Sequence, residues 1–171
     1  MSELLIGCGN SRRKKLGYDE DELKWSDLTT MDHDPNCGAD IVHDLNITPW
    51  PVDDNAYDEI HAYEVLEHLG QQGDYKAFFA HFYEIWRALK PDGHLFATCP
   101  SYQSMWAWGD PSHTRIINAG SIAFLSQAEY ERQVGNNAMT DFRWLWQGDL
   151  RPVHVEDNGE RLTFVLRAHK E

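Results

Sequence analysis

The stretch from Tyr57 to Cys99 restricts the fold more than any other part of the chain. Tyr57-Asp-Glu-Ile-His-Ala-Tyr63 reads as a short strand with polar ends. From Tyr75 to Lys90, Phe78, Phe79, Phe82, Ile85, Trp86 and Leu89 recur at helical spacing, and Lys90-Pro-Asp-Gly93 ends the helix. His94-Leu-Phe-Ala-Thr-Cys99 is again a strand. Strand, helix, strand implies a crossover between parallel strands, and the rest of the chain extends the pattern. Glu3-Leu-Leu-Ile-Gly7, Asp27 to Asp32 and Ala39-Asp-Ile-Val-His-Asp44 are three further strands. Ser126-Gln-Ala-Glu129 has the spacing of a capping box and opens a helix toward Val134. Arg143 to Lys170 reads as a hairpin around Asp157-Asn-Gly-Glu160, Asn-Gly being a favoured two-residue turn. The expectation is one α/β domain over residues 1–171, a mainly parallel sheet with an antiparallel C-terminal hairpin, whose ligands lie beyond the carboxyl ends of the strands.

A chain of 171 residues buries enough surface to fold without disulfides or a structural metal. The net charge is −13, and residues 31–100 alone carry thirteen Asp+Glu against three Lys+Arg. Nucleic-acid binding begins with a basic stripe; only Arg12 to Lys15 forms a cluster, followed at once by Asp19 to Glu22, which argues against such a partner. Cys8, Cys37 and Cys99 form no CxxC pair, and there is no N-terminal apolar stretch of signal or membrane length. Reduced thiols, a cytoplasmic location and no membrane segment are expected.

The strand ends carry the chemistry. Gly7-Cys8-Gly9 lets the backbone approach a ligand closely, but Arg12 stands where the dinucleotide fingerprint needs its third glycine, which disfavours NAD and FAD. Asp32, 23 residues after Gly9, can accept hydrogen bonds from a ribose diol, with Asp34 as the rival for that role. Asp44 and Leu45 offer an acceptor to an adenine amino group and an apolar face to its ring. Three carboxylates suit a cationic nucleoside without phosphate.

Leu4-Leu-Ile-Gly-Cys-Gly-Asn10, Thr30-Met-Asp32, Ala39 to Leu45, Pro49-Trp-Pro51 to Asn55, Tyr57-Asp-Glu-Ile to Val65-Leu-Glu-His-Leu69 and Leu89-Lys-Pro-Asp-Gly93 resemble, in order, the motifs of class I S-adenosylmethionine-dependent methyltransferases. The resemblance spans residues 3 to about 101 and is greatest to a short subgroup that begins at the first strand. It implies a Rossmann-like sheet of seven strands in the order 3-2-1-4-5-7-6, its last-but-one position antiparallel. It divides the chain into a cofactor half, about 1–100, and an acceptor half, about 101–171. By resemblance, Gly7, Cys8 and Gly9 line the methionine part of S-adenosylmethionine, Asp32 holds the ribose, Asp44 and Leu45 the adenine, and Tyr63 lies beneath the sulfonium. Two departures stand out. Asn-Ser-Arg-Arg-Lys-Lys after Gly9 promises an irregular first crossover, and no residues before Leu4 supply the helices that many relatives fold over the site, so the cofactor site is expected either to be open or to be closed by a partner chain or second copy.

On the acceptor side, Trp106 and Trp108 are candidates to wall a substrate pocket, and Asp110-Pro-Ser-His113 resembles segments of small-molecule methyltransferases in this position. His113 is the candidate general base, Asp110 its orienter and Arg115 an anchor for an anionic group; the alternative is that Asp110 and His113 only shape the loop. No metal is expected: Glu64 stands where H-x-x-E-H needs histidine, and Asp32, His33, Asp34, Cys37 and His43 lack regular ligand spacing. Ala62-Tyr-Glu-Val65 lacks the Asn/Asp-Pro-Pro-aromatic pattern of methyltransferases acting on DNA amines. Methyl transfer to a small molecule or sugar is therefore expected, and a non-catalytic cofactor-binding or partner subunit is the competing reading.

Overall fold

The computed structural model describes residues 1–18 and 23–170. One sheet runs in the order β3-β2-β1-β4-β5-β7-β6, with β1 at Ser2–Ile6, β2 at Asp27–Asp32, β3 at Ile41–Val42, β4 at Tyr57–Tyr63, β5 at Leu89–Pro100, β6 at Leu150–Asp157 and β7 at Arg161–Ala168. Strands β1 to β5 pair in parallel; β7 is antiparallel to β5 and to β6. The order and directions are those the family resemblance implied. The helices are α1 at Tyr75–Ala88, α2 at Met105–Gly109, α3 at Ala119–Ala123 and α4 at Gln127–Gln133, with a 3-10 turn at Leu66–His68. Among the described residues no helix is long and apolar enough to cross a membrane.

Several boundaries differ from expectation, each for a local reason. Helix α1 stops at Ala88 rather than Lys90, because Pro91 disfavours helical backbone before it and Leu89 pairs with Tyr57. Strand β3 has two residues rather than six, since Asp40 turns its carboxylate onto the Thr30 N–H and hydroxyl at 2.8 and 2.7 Å. The α4 helix forms, but Ser126 makes no side-chain cap, and the Glu129 carboxylate instead takes Arg132 and Gln133. The hairpin begins at Leu150, because the stretch before it folds inward to bury Trp146, whose indole N–H donates to Leu125 O at 3.0 Å. Its register pairs Asp157 with Leu162, and Asn158 N–H donates to Arg161 O, so the tip residues are Gly159 and Glu160, one position beyond Asn-Gly. Gly159, at φ 88°, supplies the left-handed conformation such a tip requires. Edge strand β6 carries Pro152 beside a bulge, which blunts it against further pairing.

Alternation along the strands gives the sheet two different faces. Leu4, Ile6, Ile60, Ala62, Leu95 and Ala97 point into the main core with α1. Glu3, Glu59 and His61 point to the other face and are buried there. That face is covered by residues 10–18 and 23–26, which contain no helix or strand, so the expected irregular crossover is present. Lys14 fills it: its Nζ lies 2.6 Å from Glu3 Oε1 and 2.8 Å from Glu59 Oε2, with all three side chains buried. Arg12 of the same basic cluster is half-buried and donates to Gly9 O and Cys37 O, while Arg13 and Lys15 stay exposed; the acidic residues Asp19 to Glu22 lie outside the described residues. The Tyr63 hydroxyl accepts from Lys15 and Leu16 N–H, gives its proton to His61 Nδ1, and His61 Nε2–H donates to Glu59.

Burial works to raise the Glu59 pKa, but the hydrogen bonds from His61 and Lys14 outweigh it and hold the carboxylate at about 2. A folded-state value below the unfolded one means stability that is present above about pH 4.5 and is lost as pH falls toward 2. The expected loss is about 3 kcal/mol across that window. Chemical denaturation at pH 6 and pH 3 should show Glu59→Gln losing clearly less stability on acidification than the wild type; equal losses would contradict the assignment.

Candidate functional site

Two cavities open at the carboxyl ends of the strands and share Glu64 and His68 as a common wall. The first, of about 460 Å³, is lined by Gly7, Asp32, Asp44 and Leu45, among others. Gly7 follows β1 with φ 60°, and its N–H donates to Met31 O at 2.8 Å, tying the turn to β2. A Cβ there would lie 2.3 Å from the Val65 side chain, a cavity wall, so only glycine fits. Gly9 stands behind the lining: its N–H donates to Asp32 Oδ2 at 2.8 Å, while Asp34 N–H takes Asp32 Oδ1 at 2.9 Å. Each Asp32 oxygen retains a further lone pair. Asp34, the rival carboxylate, closes a turn on Asn36 and does not line the cavity. Asp44 is exposed, and the Asn46 N–H and amide hold its carboxyl below the usual range. Leu45 is buried, anchored by the Trp50 indole N–H on its carbonyl at 3.0 Å.

The second cavity, of about 590 Å³, adds Glu67, Ser104, Trp106, Asp110 and His113. His113 is almost enclosed, its side chain 8% exposed. Its Nδ1 lies 2.9 Å from Trp106 O, which fixes Nδ1 as the protonated nitrogen and leaves the Nε2 lone pair free. Asp110 is not the orienter expected: its Oδ2 is 3.8 Å from His113 Nε2, beyond hydrogen bonding, and its Oδ1 caps Ser112. Trp106 O does the orienting.

Glu67 was not singled out by its residue type or spacing. Its side chain lies 4.0 Å from His113 Nε2, is 3% exposed, and among the described residues neither oxygen has a hydrogen-bond partner. Burial, reinforced by the nearby Glu64 charge, pushes its pKa up to about 7. The buried Cys99 thiol lies beside it. The only sequence signal was the Glu64-x-x-Glu67-His68 pattern, set aside above because it does not match a zinc-protease helix.

Four expected residues lie elsewhere. Cys8 and Tyr63 pack together with Leu5 and Cys37 in a separate small core: Leu5 and Tyr63 hold positions of β1 and β4 that face away from the main core, and Cys8 follows the left-handed turn at Gly7; burial raises the Cys8 thiol to about 11. Arg115 is buried with its guanidinium on the carbonyls of Leu69, Gln71 and Asp74 and stacked over Phe78, so it latches the loop before α1 and has little left for an anion. It borders a third hollow of about 320 Å³, walled by Tyr75, Phe79, Phe124 and Phe142, which shares no residue with the two cavities. Trp108 is 71% exposed and outside the lining, its indole N–H on Tyr102 O. Trp106 does wall the second cavity.

Residues 4–97 match a family model described as a methyltransferase domain. No curated protein matches the sequence. Solved structures share the fold: an S-adenosylmethionine-dependent methyltransferase from Archaeoglobus fulgidus at TM-score 0.58 and 13% identity, covering 97% of this chain and 85% of its own. The N-methyltransferase NodS from Bradyrhizobium japonicum, solved with S-adenosyl-L-homocysteine, aligns at TM-score 0.55 and 16% identity, covering 99% and 78%. A putative methyltransferase in complex with the Trm112 methyltransferase activator from Haloferax volcanii aligns at TM-score 0.60 and 14% identity, covering 99% and 83%.

Proposed function

The chain belongs to the methyltransferase-domain family, and from that premise we propose that it transfers a methyl group from S-adenosylmethionine to an acceptor in the second cavity. The observation that carries the reading is the pair of cavities at the strand ends, separated by one wall. The first fits the cofactor in size and character. Asp32 lies where a ribose diol would be held, with Asp44 and Leu45 at the adenine end and the Gly7 turn approaching closely. Asp32, Asp44 and Glu64 supply the negative field that a cationic, phosphate-free nucleoside needs and that repels phosphorylated cofactors. When bound, S-adenosylmethionine supplies a methyl group activated by its sulfonium.

The protein's own task is then alignment and proton handling. Trp106 offers an aromatic wall to a small molecule or sugar. His113 is the acceptor-side residue to which we assign a part in the reaction, because its free Nε2 lone pair can take a proton or hold a cation next to the acceptor. The neighbour NodS is an N-methyltransferase by its description, but the cavity here has carboxylate and imidazole groups that can accept a proton from a hydroxyl equally well.

Thermal unfolding with S-adenosylhomocysteine tests the cofactor site. At about 100 times its dissociation constant the ligand should add roughly 2.7 kcal/mol, a rise of about 5 to 10 °C. Asp44→Ala, at an exposed position, and Asp32→Asn, which keeps the side-chain shape, should both lose most of that rise. An unchanged wild-type melting temperature would favour the partner-subunit reading instead.

A further inference from the structure

A buried carboxyl group without a hydrogen-bond partner is costly, and among the described residues neither oxygen of Glu67 has one. Glu64, by contrast, pairs with Arg161 Nε at 3.1 Å. Facing Glu67 are two imidazoles delivered by different elements: His68 from the 3-10 turn after β4, and His113 from the loop after α2. Their rings meet edge to face with centroids 4.7 Å apart. Both Nδ1 atoms are bound to backbone carbonyls, His68 to Ser112 O at 3.1 Å and His113 to Trp106 O at 2.9 Å. That second layer fixes Nδ1 as the protonated nitrogen and leaves both Nε2 lone pairs free, as it does for histidines that ligate metals.

We propose that Glu67, His68 and His113 form a binding site for a divalent transition-metal ion in the wall between the two cavities. One ligand atom from each of the three lies within 4.8 Å of the others, a spread that a shared ion can draw onto itself at ordinary bond lengths. Two imidazoles and a carboxylate favour Mn²⁺, Co²⁺, Fe²⁺ or Zn²⁺ over Mg²⁺, which prefers oxygen ligands alone. Glu64, which lines both cavities, is positioned to add a second carboxylate. Two other clusters of potential ligands lack this character. Glu3, Glu59 and His61 are already neutralised by Lys14. In the Cys8, Asp32 and Cys37 group, both Asp32 oxygens take backbone N–H groups.

The ion would face the second cavity beside His68, where it can orient an oxygen of the acceptor. This catalytic consequence rests on the methyl-transfer reading; binding of the ion does not. The test is therefore made without cofactor or acceptor. Chelator-treated protein is titrated with Co²⁺ while visible d–d absorption is followed, and with Mn²⁺ while the free-ion electron paramagnetic resonance signal is read. One equivalent should bind, and Glu67→Gln and His113→Asn should each weaken binding by at least about 100-fold, the upper range seen for losing even a supporting outer-layer contact. Far-UV circular dichroism serves as the fold control, and His68→Gln provides a third variant should one of the others fail to fold. Absence of binding in the wild type, or undiminished binding in folded variants, would overturn the site. Loss of the S-adenosylhomocysteine shift with metal binding retained would instead count against the cofactor reading alone.

Discussion

Lys14→Met is expected to lower the melting temperature by about 6 to 12 °C, corresponding to about 3 kcal/mol in a chain of this size. The lysine ammonium is fully buried between Glu3 and Glu59. Burial alone would pull its pKa down, but the two carboxylates outweigh that effect and raise it, so it remains charged at neutral pH. Removing it leaves two carboxylates under the sheet with reduced compensation: Glu3 keeps the Ser26 N–H and Glu59 keeps His61. The apolar stem of methionine replaces the volume of lysine, so the loss reports charge rather than a cavity. Adding Glu59→Gln to Lys14→Met should restore part of the stability, because a neutral amide no longer needs the cation. A melting temperature within about 2 °C of wild type would mean that water or local rearrangement replaces the ammonium, and that the ion pair is not what holds the irregular crossover down.

Gly7→Ala is the second large effect, and it couples the fold to the cofactor cavity. An alanine at φ 60° costs about 1 to 2 kcal/mol in backbone strain. Its Cβ would also sit 2.3 Å from Val65 Cγ2 and 2.8 Å from Val65 Cβ. Displacing that packed side chain adds about 1 to 3 kcal/mol. Because Val65 and Gly7 both line the first cavity, the displaced wall should also abolish the S-adenosylhomocysteine shift. Gly9→Ala separates the two contributions: Gly9 is left-handed at φ 49°, but its added Cβ meets nothing within 4 Å. It should show the backbone cost alone, about 1 to 2 kcal/mol, and keep most of the ligand response. Gly7→Ala melting and binding no worse than Gly9→Ala would show that the wall yields freely.

How far the sequence alone could be read depended on whether a feature was local. The ends of β2 and β4 fall at the expected residues. Helix α1 was legible from its periodicity, and its end shifted because Pro91 acts one residue upstream and Leu89 pairs with Tyr57. The places where Asp32, Asp44 and Leu45 emerge at the cavity were also legible, since a residue at the carboxyl end of a parallel strand has few other places to go.

The sequence by itself determined the alternation of elements, the strand ends that face a ligand and the acidic character of that edge. Tertiary structure decided which neighbours those residues meet. Tyr63 turned away from the cavity because strand alternation assigned it to the opposite face, and Cys8 joins it there after the left-handed turn at Gly7. Arg115 is occupied by carbonyls more than 40 positions away. Lys14 found Glu3 and Glu59 across the sheet, and Glu67 met His113 only through a loop that returns after β5. Charge compensation and ligand geometry depend on distances of a few ångströms between residues far apart in the chain, and only the folded backbone sets those distances.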